Sequence, residues 1–228
     1  MGEDVRFPSN GTEGSGYLAV PESGSGPGVV VIQEWWGLND QIREVCDGYS
    51  AEGFVALAPD LYRGKVTSEP DEAGKLMMSL NIEQAAKDMV GAVDYLKAHD
   101  AVSSSGVGVV GFCMGGALAL WLATLRPDDV PAVVPFYGVI GWPATTPDWS
   151  KLQAKVQGHY AEVDDFASPE AVAAFADELR ALGKDVEIFT YPGCEHAFTN
   201  HHRPEVHHLE HSETAGTRTY AFLRANVT

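Results

Sequence analysis

The stretch from Gly111 to Gly116 constrains the fold of this chain more than any other, because it sets Cys113 among glycines between two predicted elements. Residues 107–110 are valine or glycine and predict a buried strand, whereas residues 117–123 are strong helix formers. A strand that turns sharply into a helix around Gly-x-nucleophile-x-Gly is a nucleophile elbow, and glycines allow the close approach that the turn needs. A sulfur at this turn faces the unpaired N–H groups of a helix N-terminus, which stabilise negative charge. The pattern predicts a cysteine nucleophile, with a buried structural thiol as the alternative.

The length and charge of the chain limit its class. With 228 residues we expect a single domain over residues 1–228, large enough to bury a substantial core. The formal net charge of −17 disfavours nucleic acids and anionic membranes as partners, and no apolar run reaches membrane-spanning length. Three cysteines and no signal-peptide pattern predict a reducing, cytoplasmic setting. We expect no cofactor and no metal, and either a monomer or a homodimer.

Strand patterns and helix patterns alternate along the chain. The predicted strands cover residues 28–32, 54–58, 132–138, 156–160 and 186–191, after an opening hairpin of residues 5–7 and 17–20. The other predicted helices cover residues 40–52, 82–98, 169–182 and 204–224. Residues 61–81 are expected to form a lid or a short helix, and residues 141–147 a loop. This alternation predicts an α/β fold with a mostly parallel central sheet and helices on both faces.

Groups with chemical function follow the carboxyl ends of the predicted strands, where parallel α/β sheets collect their sites. Cys113, a carboxylate in Asp164 or Asp165, and His196 occur there in this order. Nucleophile, acid and histidine follow the same order in the triad of α/β hydrolases. We expect the imidazole to act as general base for Cys113 and the carboxylate to orient the imidazole. The alternatives are a surface histidine and a solvated acidic loop, which is common in so acidic a chain.

Two backbone N–H groups are candidates for an oxyanion hole. One belongs to Met114, directly after the nucleophile, and the other to Trp35, which follows an earlier strand. Trp35 and Trp36 could equally be core aromatics or the wall of a pocket.

Several histidines and a cysteine lie near the C-terminus. His207 and His211 are four residues apart in a predicted helix and could share a metal, but no familiar ligand pattern completes the site. A polar helix face is the prediction. Cys194 precedes His196 by two residues and is predicted to be a structural thiol, with a redox partner of Cys113 as the alternative.

Four segments together resemble the dienelactone hydrolase family of α/β hydrolases. They are residues 33–39, 58–62, 111–116 and 193–198. The resemblance spans nearly the whole chain and implies an α/β-hydrolase fold with a cofactor-independent activity. It also implies that Asp164 is the acid, since the family places its aspartate before a residue-plus-Phe step. The family glutamate corresponds to Glu34, which is expected to lie near Cys113 and to restrain it until substrate arrives.

The resemblance also suggests which residues contact the substrate. The candidates are Trp36, Tyr62, Trp142, Phe198 and Asn200. The family holds the substrate carboxylate with two arginines, but Asn200 occupies one of these positions and residues 68–73 contain no arginine. We therefore expect the catalytic residues to carry over and the dienelactone specificity to be absent.

The resemblance, taken with these residues, implies a hydrolase of the carboxymethylenebutenolidase type that cleaves small esters or lactones. Its triad would be Cys113, His196 and Asp164, and its intermediate a thioester acyl-enzyme. The alternatives are a non-catalytic protein that binds small molecules and a redox protein on the same fold.

Overall fold

A computed structural model describes residues 2–139 and 145–228. Its strands form one sheet in the order β1-β2-β4-β3-β5-β6-β7-β8. Their bounds are β1 Glu3–Ser9, β2 Thr12–Ala19, β3 Gly26–Ile32, β4 Val55–Pro59, β5 Val102–Phe112, β6 Ala132–Phe136, β7 Lys155–Val163 and β8 Val186–Glu195. The hairpin β1–β2 and the pair β2–β4 are antiparallel, whereas all pairs from β4 to β8 are parallel. The predicted mostly parallel sheet is confirmed.

Helices cover both faces of this sheet. Their bounds are α1 Asp40–Ala51, α2 Pro70–Met78, α3 Ile82–Ala98, α4 Met114–Leu125, α5 Pro169–Ala181 and α6 Leu209–Asn226. Successive side chains of β3 point to opposite faces: Val30 packs with the residues of α3 and α4, and Val31 packs with those of α1 and α6. This two-sided burial explains why β3 is an uninterrupted apolar run.

Polar side chains cap the first turns of α1, α3 and α5. The Ser168 hydroxyl accepts a hydrogen bond from the N–H of Ala171, and Pro169 occupies the first turn of α5. Asn39 and Asn81 cap α1 and α3 in the same way. Among the described residues, no helix is long and apolar enough to cross a membrane.

The last helix differs from its prediction. Helix α6 begins at Leu209 rather than near Pro204, because His208 caps it and residues 201–206 form turns. His207 therefore precedes the helix, and the predicted spacing of His207 and His211 on one helix face was wrong.

The structure refines the predictions for two other segments. Residues 61–81, predicted as a lid or a short helix, contain α2. Pro135 is tolerated inside β6 because pairing with β7 passes from Val133 to Phe136, so the missing N–H of proline is not needed there. The predicted loop 141–147 lies mostly outside the described residues.

Candidate active site

Cys113 occupies a sharp turn between β5 and α4. Its backbone has φ 55° and ψ −120°, a conformation that non-glycine residues rarely adopt. Its N–H donates to the carbonyl of Phe136 at 3.0 Å, which fixes the turn against β6. A Cβ atom added to Gly111 would lie 1.9 Å from the carbonyl oxygen of Gly115, so only glycine fits there. Residues 111–116, the elbow, thus hold a half-buried thiol at the carboxyl edge of the sheet.

His196 and Asp164 meet beside this thiol. His196 begins the segment that joins β8 to α6, residues 196–208, which we call the histidine loop. Its Nδ1 lies 2.8 Å from Oδ2 of Asp164, and the side chain of Cys113 is a close neighbour of the same ring. The other oxygen of Asp164 accepts N–H groups from Phe166 at 2.8 Å and Ala167 at 2.9 Å. The structure therefore brings the three predicted residues together: His196 is hydrogen-bonded to Asp164, and Cys113 lines the same cavity as His196.

Asp165 takes a different position. Its side chain is exposed and lines the neighbouring cavity, whereas Asp164 is buried against His196. Only one of the two adjacent carboxylates can therefore orient the imidazole in this arrangement.

The charges of these groups depend on each other. Burial alone opposes the charged form of His196, but its hydrogen bond to Asp164, the proximity of Cys113 and the negative charge of the Asp164 carboxylate outweigh burial and raise its pKa to about 10. Burial likewise opposes ionisation of Asp164, yet His196 and two backbone N–H groups lower the pKa of this carboxyl. An imidazolium between Asp164 and Cys113 is the favoured state of the cluster.

Glu34 lies close by but is held by other residues. The side chain is 2% exposed, and Tyr137 Oη donates to its Oε1 at 3.0 Å while Asn200 Nδ2 donates to its Oε2 at 2.9 Å. Burial raises the pKa of Glu34, although these two donors oppose the rise. Glu34 and Cys113 line the same cavity, as expected for a glutamate near the nucleophile. The described residues include no hydrogen bond between them, so direct contact is not part of this conformation.

A cavity of about 450 Å³ opens above Cys113 and His196. Trp35 and Trp36 form one wall, after β3, and Met77 of α2 contributes to another. Its lining is predominantly apolar, which suits a small organic ligand.

The charged groups of the cavity are mostly acidic. Glu34, Asp165 and Glu195 line it, whereas its one lining guanidinium belongs to Arg203. Arg203 Nε is paired with Oε1 of Glu205 at 2.9 Å. The electrostatic environment is therefore unfavourable to an anionic ligand.

The N–H groups predicted for an oxyanion hole lie at the carboxyl edge of the sheet, where Cys113 also lies. Met114 is the first residue of α4, where helix geometry leaves N–H groups without an intrahelical acceptor. Trp35 lines the cavity beside Cys113. Both are compatible with the expected arrangement.

Three of the predicted substrate contacts differ from expectation. Phe198 is fully buried and packs on Tyr137 and Tyr191 beneath the cavity rather than lining it. Tyr62 is also buried, and its hydroxyl lies 3.3 Å from the sulfur of Met114. The side-chain amide of Asn200 donates a hydrogen bond to Glu34 and does not line the cavity. Trp36 does line the cavity, and Trp142 lies outside the described residues.

Sequence reasoning missed several residues around the site. Tyr137 bonds Glu34, and its ring lies 5.0 Å from that of His196. Its place directly after β6, at the carboxyl edge of the sheet, was a usable signal. Phe166, 80% exposed, also packs 5.0 Å from the His196 ring, and only its spacing from Asp164 hinted at this.

The strand order, the elbow and the histidine after the last strand define a hydrolase of the α/β-hydrolase fold. A protein from Klebsiella pneumoniae, provisionally named a dienelactone hydrolase, superposes with a TM-score of 0.88 at 27% identity, over 98% of each chain. A dienelactone hydrolase-like promiscuous phosphotriesterase from metagenomic libraries superposes with a TM-score of 0.87 at 23% identity, over 100% of this chain and 99% of its own, and shares the fold.

Sequence comparison narrows the class to one family. The model of the dienelactone hydrolase family matches residues 15–227, and the chain belongs to this family. Protein usf of Aquifex pyrophilus is 39% identical over the full length of both chains. A protein of Aquifex aeolicus, provisionally named a carboxymethylenebutenolidase, is 36% identical over 91% of each chain.

Proposed function

We propose that this protein hydrolyses small uncharged esters or lactones through a thioester formed on Cys113. The observation that carries the proposal is the position of Cys113 beside His196, whose imidazole is hydrogen-bonded to Asp164, at the base of an apolar cavity. Nucleophile, base and orienting acid in mutual contact are the geometric signature of covalent hydrolysis. The name of the Aquifex aeolicus relative supports a lactone as one substrate.

Acylation begins once the proton of the Cys113 thiol has been transferred to the imidazole of His196. The sulfur attacks the carbonyl carbon, a C–S bond forms, and the carbonyl electron pair moves to oxygen. The N–H groups of Met114 and Trp35 would stabilise this oxyanion. When the C–O bond to the leaving group breaks, the departing oxygen takes the proton from His196, and a thioester remains.

In the hydrolysis of the thioester, His196 acts as a base towards water, whereas it acted as an acid towards the leaving group. A water molecule gives its proton to His196 and its oxygen attacks the acyl carbon, so that a second tetrahedral intermediate forms. Collapse of this intermediate breaks the C–S bond and releases the carboxylic acid. Throughout, Asp164 keeps the imidazole in one orientation and stabilises its cation.

The preference for uncharged substrates follows from the lining of the cavity. A substrate carboxylate in an apolar cavity needs a cationic partner, because an unpaired anion is costly to bury. Arg203 is already paired with Glu205, and Arg63 lies 3.0 Å from Asp88 and does not line the cavity. The acidic neighbours add a repulsive contribution.

The test compares purified parent protein with Cys113→Ala on short nitrophenyl esters and simple lactones. Turnover in the parent and its loss in a folded Cys113→Ala protein are expected. Equal turnover in both would exclude Cys113 as nucleophile, and the absence of turnover in the parent would favour a binding protein on the same fold.

The substrate class is tested separately. At one salt concentration, we expect higher kcat/KM for uncharged lactones than for a carboxylated dienelactone. A clear preference for the carboxylated lactone would contradict this, and its loss in Arg203→Gln would identify Arg203 as the carboxylate partner.

A further inference from the structure

Behind the active site, three metal-binding side chains converge where β8 ends and α6 begins. Cys194 is the second-last residue of β8, His208 is the residue that caps α6, and His211 lies in its first turn. One ligand atom from each lies within 4.8 Å of the others. None of the three has a role in the proposed hydrolysis.

Packing holds the three side chains in place. The Cys194 side chain is buried at 1% exposure. The rings of His208 and His211 stack with centroids 4.2 Å apart, and the His211 ring also packs 5.4 Å from Tyr191. Such pre-positioning reduces the entropy lost when an ion is bound.

We propose that Cys194, His208 and His211 form a binding site for a divalent transition-metal ion of the zinc type. A thiolate and two imidazoles are ligands that Zn²⁺ prefers, and three protein ligands leave a fourth tetrahedral position for water. Bonds of about 2.0–2.3 Å place ligand atoms about 3.5 Å apart, so small side-chain rotations close the site.

Binding of the ion would affect a hydrogen bond of His208 and the thiol proton of Cys194. Nδ1 of His208 accepts the N–H of His211 at 3.4 Å, so ligation through Nδ1 would break this cap of α6, whereas ligation through Nε2 would leave it in place. The bound ion must also take the place of the thiol proton of Cys194, because the thiolate is the form that ligates a metal. The net charge of −17 favours the approach of cations.

Because of where the site lies, a bound ion would affect the stability of the histidine loop. Cys194 lies two residues before His196, the first residue of the histidine loop, and His208 is the last residue of that loop. An ion that joins them closes this loop at its base and stabilises the folded state relative to the unfolded chain.

A second cluster provides a matched control. His201 and His202 both lie against one oxygen of Glu44, at 2.6 Å and 2.9 Å, and all three are exposed. This cluster has no thiolate and is solvated, so its contacts are those of ordinary surface ion pairs.

The experiment uses Co²⁺ and Zn²⁺ on chelator-treated protein in a Cys113→Ala background, which removes the other thiol that has a histidine neighbour. We expect one Co²⁺ per chain with a thiolate-to-cobalt charge-transfer band, and a higher Tm with Zn²⁺. Cys194→Ala should abolish the band, and His211→Gln should weaken binding about tenfold or more. The double variant His201→Gln/His202→Gln should behave as the background protein.

A background protein without the band, or a band that survives in Cys194→Ala, would overturn the proposal. Loss of binding in the double variant instead would assign the ion to the Glu44 cluster. If Cys194→Ala does not fold, His211→Gln decides, because this side chain is only partly buried: unchanged affinity in it would also overturn the proposal. Hydrolytic activity is not needed for any of these measurements, so this test and that of the proposed function fail independently.

Discussion

The elbow and the histidine loop both contribute to the active site, but different forces hold them. In the elbow, backbone meets backbone: a Cβ on Gly111 would collide with Gly115, and one on Gly138 would lie 2.0 Å from the carbonyl oxygen of Cys113. In the histidine loop, side chains reach across the molecule, as when Asn200 bonds Glu34 and Thr199 bonds Tyr137 at 2.8 Å.

Because of this difference, the two regions should tolerate different substitutions. Backbone contacts at the elbow leave no room for larger residues at its glycines, so the position of the nucleophile is set by the backbone. The histidine loop depends on hydrogen bonds that can be exchanged one at a time, so its residues tune charge and position. Substitutions of the elbow glycines should damage the fold, and those around the histidine loop should change catalysis and pH dependence.

The largest effect is expected for Gly111→Ala. Its new methyl group would meet the backbone of Gly115, and overpacking of this kind costs about 3 kcal/mol or more. Gly74→Ala in α2 is the matched control, since no atom lies within 4 Å of its Cβ, and it should stabilise the protein by up to about 1 kcal/mol. Urea unfolding measures both. Equal stability of the two variants would refute the steric account of the elbow.

A smaller effect, on catalysis alone, is expected for Asp164→Asn. The kcat should fall by roughly two orders of magnitude, because the imidazole loses its orienting carboxylate. Asp165→Asn, one residue away and exposed, should be much milder. Since the carboxylate of Asp164 raises the pKa of His196, this pKa should fall in Asp164→Asn when followed by NMR. Greater damage from Asp165→Asn would reassign the acid.

The smallest effect is a change in how stability depends on pH in Glu34→Gln. Burial raises the pKa of Glu34 in the folded state, so its contribution to stability is complete below its ordinary pKa of 4.5 and is lost as the pH rises through the raised value. Glutamine removes this loss. Its carbonyl oxygen can still accept from Asn200, whereas its amide nitrogen can only donate, so the hydroxyl of Tyr137 would donate to Thr199 instead. The Tm of Glu34→Gln should therefore exceed that of the parent at neutral pH, by a margin that shrinks towards pH 4.5. A margin that does not vary with pH would contradict this assignment of charge.

The sequence was sufficient for the elbow because its determinants are local. Glycines around Cys113, a valine-rich strand and a run of helix formers all lie within 17 residues, at positions 107–123. The same holds for the alternation of strands and helices, from which the sheet and its two covered faces were predicted.

The surroundings of the histidine loop could not be predicted in this way. The Asn200–Glu34 bond joins residues 166 positions apart, and Tyr137 is coupled to Glu34 over 103 positions. No local pattern reports such pairs. The start of α6 was placed too early because Pro204 resembled a first-turn proline, whereas the actual cap is His208.

The central claim is that Cys113 carries the acyl group, and trapping this group tests it most directly. The parent protein is mixed with a short nitrophenyl ester, quenched in acid within one turnover, digested and analysed by mass spectrometry. We predict one acyl group per chain on Cys113, formed together with a burst of nitrophenol and removed by neutral hydroxylamine as expected of a thioester. An acyl group on any other residue, or steady turnover at the parental rate in Cys113→Ala, would contradict the account.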